Sequence, residues 1–315
     1  MLRIGAIAHN WQVSTPATSP GVPPAVSIIV VSADSGTSLR ECARRALACA
    51  LPLQFILIDN DSHDGVPQAI ERDHHGDPRL QVIYNGANLG FGPAINRAAV
   101  KATGETLLVL NPDCLLEDDS LQRLLDHLEQ TPRAGIVGAV VCDENGHADP
   151  ASFRRDPLLA RSLRTLVGAE GEGVNIAGPA PDRMVQTEAV SGALMLMPRE
   201  LFRRIDGFDE AYFLHCEDLD ICRRVRDAGY EVWLAGDVRV LHGKGTSSRH
   251  RPVFVSWYKH RGMWRWFCKF DPAARNPLLA AVVWLGIWAH FLSRIPGQWW
   301  RLAKRKRQVA GDATA

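Results

Sequence analysis

The sequence lacks a strong charge of either sign. Its 36 Lys and Arg stand against 35 Asp and Glu, a net charge of +1 over 315 residues. That is too small a basic excess for a chain whose task is to neutralise nucleic-acid phosphates, so no nucleic-acid partner is expected. It also lacks any C-x-x-C pair. The seven cysteines (Cys42, Cys49, Cys114, Cys142, Cys216, Cys222 and Cys268) are odd in number, which argues against a complete disulfide framework and for reduced, buried thiols. Neither a sustained apolar core nor a cleavage-like end accompanies Arg3, so no secretory signal is expected. Residues 17–24, rich in Pro, Ser and Thr, read as a flexible lead-in. The apolar run at 277–292 falls short of the roughly 20 residues a spanning helix needs.

What is present is an alternation of short apolar runs and amphipathic stretches. Val26–Ser32 is a β-branched run bounded by Pro24 and by Asp34-Ser35-Gly36, the pattern of a strand buried on both faces. Leu39, Cys42, Ala43, Ala46 and Leu47 follow at helical spacing. Further strands are predicted at 55–58, 80–84, 106–110, 136–141 and 193–197, and shorter ones at 231–234 and 238–241. Helices are predicted at 67–72, at 94–102 with Pro93 at its first position and Gly104 closing it, from Asp118 and Asp119 onward, and at 217–228. Such alternation implies an α/β fold with a mostly parallel, Rossmann-like central sheet flanked by helices. Residues 143–186, polar and Gly-rich, read as an irregular, mobile insertion on the acceptor side.

Polar clusters stand where these strands end, the place where such sheets bind ligands. Asp59-Asn60-Asp61-Ser62 suits either a helix-capping turn or a carboxylate that meets the N–H of a pyrimidine. Asn88-Leu89-Gly90-Phe91-Gly92 suits a plain loop or a close approach of backbone to an anionic ligand. Asn111-Pro112-Asp113 suits a turn or a hard divalent cation. Glu217, Asp218 and Asp220 complement the positive end of a helix, worth about 0.3–1 kcal/mol each. They also offer a general base at the mouth of a partly dry site. His242, at a strand end before Gly243-Lys244-Gly245-Thr246-Ser247, suits a satisfied core histidine or a metal or phosphate ligand.

In their order along the chain these motifs resemble the family 2 inverting glycosyltransferases of the GT-A fold, and most nearly their rhamnosyltransferase-like branch. The resemblance rests on Val26–Ser32, 56–64, 88–96, 107–113 with Asn-Pro-Asp, 191–197, 207–229 with Gly-Phe-Asp-Glu and Glu-Asp-x-Asp, and 242–247. It implies Asp218 as catalytic base with Glu217 and Asp220 in support. It implies Asp113 and His242 at a site for Mg²⁺ or Mn²⁺, and Asp59 on the uracil or thymine of the donor. Asn88, Gly90 and Asn96 would line the nucleotide and ribose, and Ser191-Gly192-Ala193 the floor under the sugar. Ser32, Asp34, Asn60 and Asn111 complete the expected donor side, Ser32-Ala33-Asp34 replacing the Thr-Tyr-Asn that relatives often carry. Arg223 or Arg224 would neutralise a carboxylate or an acceptor phosphate.

The implied partners are a dTDP- or UDP-sugar donor and a saccharide acceptor carried on a polyprenyl diphosphate. Trp299-Trp300 before Arg301 and the basic residues at 304–307, with Trp257, Tyr258, Trp264, Trp266 and Phe267 among Lys259, Arg261, Arg265 and Lys269, pair aromatic with basic side chains. That pairing favours an amphipathic helical extension lying on the cytoplasmic face of the inner membrane over a core helix packed on the catalytic unit or a true span. The expected organisation is a lead-in at 1–25, a catalytic unit at 26–260 with a nucleotide half (26–141) and an acceptor half (142–260), and the extension at 261–315. A sugar-1-phosphate nucleotidyltransferase is the competing enzyme class. It wants a Gly-rich basic loop after the first strand, which residues 32–36 do not supply. A non-catalytic carbohydrate-binding scaffold is the third reading, and Asp113 with Asp218 argues against it.

Overall fold

The computed structural model describes residues 24–166, 168, 173–176, 178–243 and 251–312, with side chains as far as Gln298. The lead-in before residue 24, positions 244–247 and the side chains of the Trp299-to-Arg307 stretch lie outside the described residues. Strand β1 (Val26–Ser32) is buried along its whole length. The residues predicted to face inward on the next helix, α1 (Thr37–Ala48), are those buried. There follow β2 (Leu53–Asp59), α2 (Val66–Asp73), β3 (Leu80–Tyr84), α3 (Phe91–Ala99), β4 (Thr106–Leu110), β5 (Cys114–Leu115), α4 (Ser120–Gln130) and β6 (Ala134–Cys142). Side chains alternate between faces along β1. Ile28 and Val30 join the core under α1, α2 and α4, whereas Ile29 and Val31 join the core under α3.

The second half adds β7 (Phe153–Arg154), α5 (Leu159–Leu166), β8 (Met184–Thr187), β9 (Ala189–Val190), β10 (Leu194–Pro198), α6 (Arg199–Arg204), α7 (Glu217–Asp227), β11 (Glu231–His242), α8 (Pro252–Phe270), a 3₁₀ turn (Pro272–Arg275) and α9 (Pro277–Asp312). The main sheet runs β3-β2-β1-β4-β10-β6-β11-β5, with β8 beside β11. It is parallel from β3 to β4 and mixed beyond, because β10 enters antiparallel to both β4 and β6. The chain leaves β1 toward β2 on one side and reaches β4 on the other. The switch point, where such sheets open a crevice, therefore lies between the ends of β1 and β4.

Several expectations change in detail. Helix α3 starts at Phe91, because Gly90 takes φ 91° and turns the chain three residues before Pro93. Gly104 does not close it. A Cβ there would lie 2.6 Å from Ser27 N, so this glycine lets the chain pass β1. The two short strands after 231 are one, β11, irregular between Ala235 and Arg239. The 143–186 insertion is not structureless: β7 pairs with β9, and the edge strand β8 pairs with β11. The division drawn at 260/261 falls inside α8. The apolar stretch is longer than expected, since Pro277–Gln298 forms 22 helical residues of mean hydropathy 1.7. This is long and apolar enough to cross a membrane by length and composition.

Candidate active site

The donor side is built at the ends of β1 and β2, where Ser32 and Asp59 are register partners. After Asp59 the chain turns back through Asp61 at φ 65°, and Ser62 N donates to both Asp59 carboxylate oxygens at 3.2 and 3.3 Å. Burial raises the Asp59 pKa, and the Ser62 hydrogen bonds oppose that rise. The Ser62 hydroxyl lies 3.0 Å from Ser32 Oγ and accepts from Asp34 N, while Asp34 Oδ1 accepts from His63 N at 2.6 Å. Asn60 is buried, donating to Gly90 O at 2.9 Å and accepting from Asn85 Nδ2 at 2.6 Å. Asn88 Oδ1 accepts from Gly90 N. Asn60 and Asn88 thus frame the crevice, and Gly90 sits where a Cβ would strike Phe213 O at 2.6 Å.

The candidate metal pair forms because β5 folds back against the end of β11, with His242 opposite Cys114. His242 Nε2 lies 3.1 Å from Asp113 Oδ1 and 3.4 Å from Asn111 Nδ2. Its Nδ1 is buried without a hydrogen-bond partner. A carboxylate oxygen and an imidazole nitrogen converging on one point suit a hard divalent cation. Among the described residues no third His, Cys, Asp or Glu joins them. The pair by itself would hold such an ion only with further ligands from beyond these two side chains.

The acidic side rests on the residues before α7. His215 and Cys216 both adopt left-handed backbone, φ 69° and 70°, a strained conformation for side-chain-bearing residues that concentrates at functional sites. The turn delivers Glu217 and Asp218. Asp218 Oδ2 accepts from Arg154 Nη2 at 2.6 Å and from Gly192 N at 3.2 Å. Glu217 is buried, with Oε2 unpartnered. Burial, and then the neighbouring Asp218 charge, push its carboxyl up to about 8.

One thread of contacts joins the two ends. Asn111, beside the metal pair, donates its N–H to Ala193 O at 2.9 Å, and Gly192 touches Asp218. Ser191 supports that turn, taking Ser152 O on its N–H and Ala193 N on its hydroxyl. Asp59, Ser32, Asn111 and Ala193 stand in order along one sheet edge, spanning three strand spacings or about 14 Å.

Two expected members belong elsewhere. Asn96 spends its amide on the 207–210 loop, bonding Phe208 N and O at 2.8 Å each and Glu210 Oε1 at 3.1 Å. It holds that loop and does not line the crevice. Asp220 is fully buried and paired to Arg224 at 2.5 Å and to Lys269 at 2.6 Å, so it braces α7 against α8. Arg224 also donates to Ile205 O and Gly207 O, and Arg223 pairs with Asp156 and Asp227. Neither arginine is spare for a ligand. Sequence reasoning missed Arg154, whose only signal was its place inside the polar insertion.

An α/β sheet with acids gathered at a switch-point crevice defines a transferase of the GT-A type. Residues 27–180 match the model described as Glycosyl transferase family 2. The N-acetylglucosaminyl-diphospho-decaprenol L-rhamnosyltransferase of Mycobacterium tuberculosis (strain ATCC 25618 / H37Rv) is 28% identical over 284 residues, covering 80% of this chain and 92% of that protein. Rhamnosyltransferase WbbL of Escherichia coli (strain K12) is 25% identical over 207 residues, covering 62% of this chain and 74% of WbbL. The solved mannosyltransferase PcManGT from Pyrobaculum calidifontis, in complex with GDP-Man and Mn²⁺, has the same fold. Its TM-score is 0.56 at 21% identity, over 95% of this chain and 78% of that one. The chain carries a match to glycosyl transferase family 2 over residues 27–180 and is a glycosyltransferase.

Proposed function

We propose that this glycosyltransferase moves L-rhamnose from dTDP-rhamnose, with inversion, to a saccharide carried on a polyprenyl diphosphate at the cytoplasmic face of the inner membrane. The observation that carries the reading is the thread from the Asp113–His242 pair through Asn111 and Ala193 to Gly192 and Asp218. It supports reading Asp113 with His242 as a cation site and Asp218 as the base, at two ends of one crevice. The sugar follows the names of the two rhamnosyltransferases to which the chain is similar, and the lipid acceptor follows the name of the mycobacterial one.

In this reading Asp59 accepts the N–H of the thymine ring, whereas Gly90, packed on Phe213 with its N–H and C=O both bonded, shapes the loop and does not meet the nucleotide as the resemblance implied. Asp113 and His242 would hold Mg²⁺ or Mn²⁺, which offsets the negative charge gathering on the departing nucleoside diphosphate. Asp218 takes the proton of the acceptor hydroxyl as that oxygen bonds to the anomeric carbon. The electron pair of the breaking glycosyl–phosphate bond leaves on the diphosphate, and one displacement inverts the carbon. Attachment to lipid is supported by α9, where Leu278, Val282, Leu285 and Leu292 are each at least 60% exposed.

The deciding experiment is a donor screen with dTDP-rhamnose and UDP-sugars, in the presence of Mg²⁺ or Mn²⁺ and a lipid-linked GlcNAc acceptor. Transfer from dTDP-rhamnose is expected. Transfer from a UDP-sugar alone would overturn the rhamnose assignment.

A further inference from the structure

Arg154 lies 64 residues from Asp218, in the insertion rather than in any of the motifs that define the crevice. Its backbone is fixed from two sides. β7 pairs Arg154 with Ala189 of β9, and a bridge on its other side ties it to Asn175. The side chain is 20% exposed and reaches Asp218, itself 15% exposed, at 2.6 Å. The neighbouring Arg155 instead donates to Gly173 O. Among the described residues, Arg154 is the cation ion-paired with Asp218.

The two oxygens of Asp218 are not equivalent. Oδ2 takes Arg154 Nη2 and Gly192 N, whereas Oδ1 takes only Leu219 N at 2.8 Å. The other titratable groups around Asp218 are Glu217 beside it, His215 and Cys216 in the preceding turn, and Cys222 one turn along α7. From α8, Lys259 acts on His215 and Cys216. Two adjacent carboxyls in one crowded corner disfavour ionising together, so one of them tends to keep a proton. The one that keeps it is Glu217, whose carboxyl burial and then the Asp218 charge push up to about 8.

We propose that Arg154 is a positioning residue of the transfer reaction: with Gly192 N it occupies Oδ2 of Asp218 and fixes the carboxylate, leaving Oδ1 as the oxygen that receives the acceptor proton. This rests on Asp218 being the base. Without the guanidinium, the carboxylate is no longer fixed and no cation faces the proton held on Glu217, so transfer slows most at the lower end of the working pH range.

The test is the pH dependence of kcat/KM for the full-length protein in detergent, in wild type, Arg154→Gln and Arg154→Lys, with thermal midpoints on the same samples. In Arg154→Gln the acidic limb should move up, as removal of a cation from beside two carboxyls requires. Arg154→Lys keeps the charge without the fork, so the limb should stay near the wild-type value while kcat falls. A purely structural role would depress the rate evenly across pH with the limb unmoved, and that result overturns the proposal. Should Arg154→Gln fail to fold, Arg154→Lys still decides through its thermal midpoint and donor KM: kcat lowered with both unchanged supports the proposal, whereas an unchanged kcat, or one lowered in step with the midpoint, overturns it. Asp218→Asn separates the two levels. Full turnover in that variant removes the base itself, whereas an inactive Asp218→Asn beside an unmoved Arg154→Gln limb removes only the role of Arg154.

Discussion

Gly262 of α8 lies against the backbone of His215: a Cβ at 262 would stand 2.8 Å from His215 O and 3.2 Å from Cys216 Cβ. The helix that carries the chain toward α9 therefore presses on the turn that delivers Glu217 and Asp218. That turn already holds two left-handed residues and has little room to yield. Gly262→Ala should cost about 1–3 kcal/mol of stability, the usual price of overpacking a filled site, and should lower kcat more than it raises the donor KM. Denaturant unfolding and steady-state kinetics check this. A variant with wild-type kcat would show that the turn is not set from α8.

Asp218 and Asp220 sit two positions apart on one helix, about 200° around its axis, and their substitutions should separate function from fold. Asp218→Asn keeps shape and most hydrogen bonds, so its thermal midpoint should change little while kcat falls by about 10²–10⁴, the range for losing a general base. Asp220→Ala breaks a buried network. Arg224 keeps two carbonyl partners and Lys269 keeps Asp209, which places the loss near 3 kcal/mol, the low end for a broken buried pair. An Asp220→Ala protein as stable as wild type would contradict the bracing role.

Much of the fold was legible because its signals are local. β1, β3 and β4 match their sequence readings residue for residue, since apolar runs bounded by Pro, Gly or acids have hard edges. The α1 stripe did the same through its period. Pairing direction is not a local property, and hydropathy alone could not show that β10 runs antiparallel between β4 and β6. Arg154 was hidden for a related reason, a two-residue strand within polar sequence whose partner is 64 positions away. The choice between Asp218 and Asp220 was available from helical periodicity, which puts only one of them on the Gly192 side. Asn96 was misplaced because a side-chain amide that fills a loop looks, in sequence, like one that meets a ligand.

Glu217 gives a stability test with a definite sign. Its folded-state pKa is raised to about 8 from an ordinary 4.5 by burial, then by the Asp218 charge. A raised folded pKa favours the folded state fully below about 4.5, and that advantage drains away as pH climbs toward 8. Gln at this position cannot ionise. Glu217→Gln should therefore match wild type in thermal midpoint near pH 4.5 and exceed it increasingly up to pH 8. A gap that is constant across pH would mean that the Glu217 carboxyl is not held protonated.

The Asp113–His242 pair offers only two protein ligands, so the affinity for a cation should depend strongly on each and on bound diphosphate. Chelation with EDTA should abolish transfer, and Mg²⁺ or Mn²⁺ should restore it. Asp113→Asn and His242→Gln should each raise the metal concentration for half-maximal rate at least as much as losing an outer-shell partner does, about 10–100-fold. Calorimetric titration of Mn²⁺ with and without nucleoside diphosphate provides a second readout. Transfer indifferent to EDTA would remove the cation from the mechanism.

Helix α9 has two unlike sides. One docks on α8 through Trp257 with Trp288 and Phe291, at ring separations of 4.7 and 5.6 Å, and through His260 Nε2 to His290 Nδ1 at 2.9 Å. The other is a bare apolar stripe of Leu278, Val282, Leu285 and Leu292, residues spaced four, three and seven apart on one helical face. A stripe of that kind belongs against lipid. Because one side is already committed to α8, the helix should lie on the membrane and not thread through it. Alkaline carbonate washing of membranes should then release the full-length protein, and Val282→Glu with Leu285→Glu should move it to the soluble fraction with its nucleotide affinity intact. Retention through the carbonate wash, with release only by detergent, would mean that Pro277–Gln298 crosses the bilayer and that its contact with α8 gives way there.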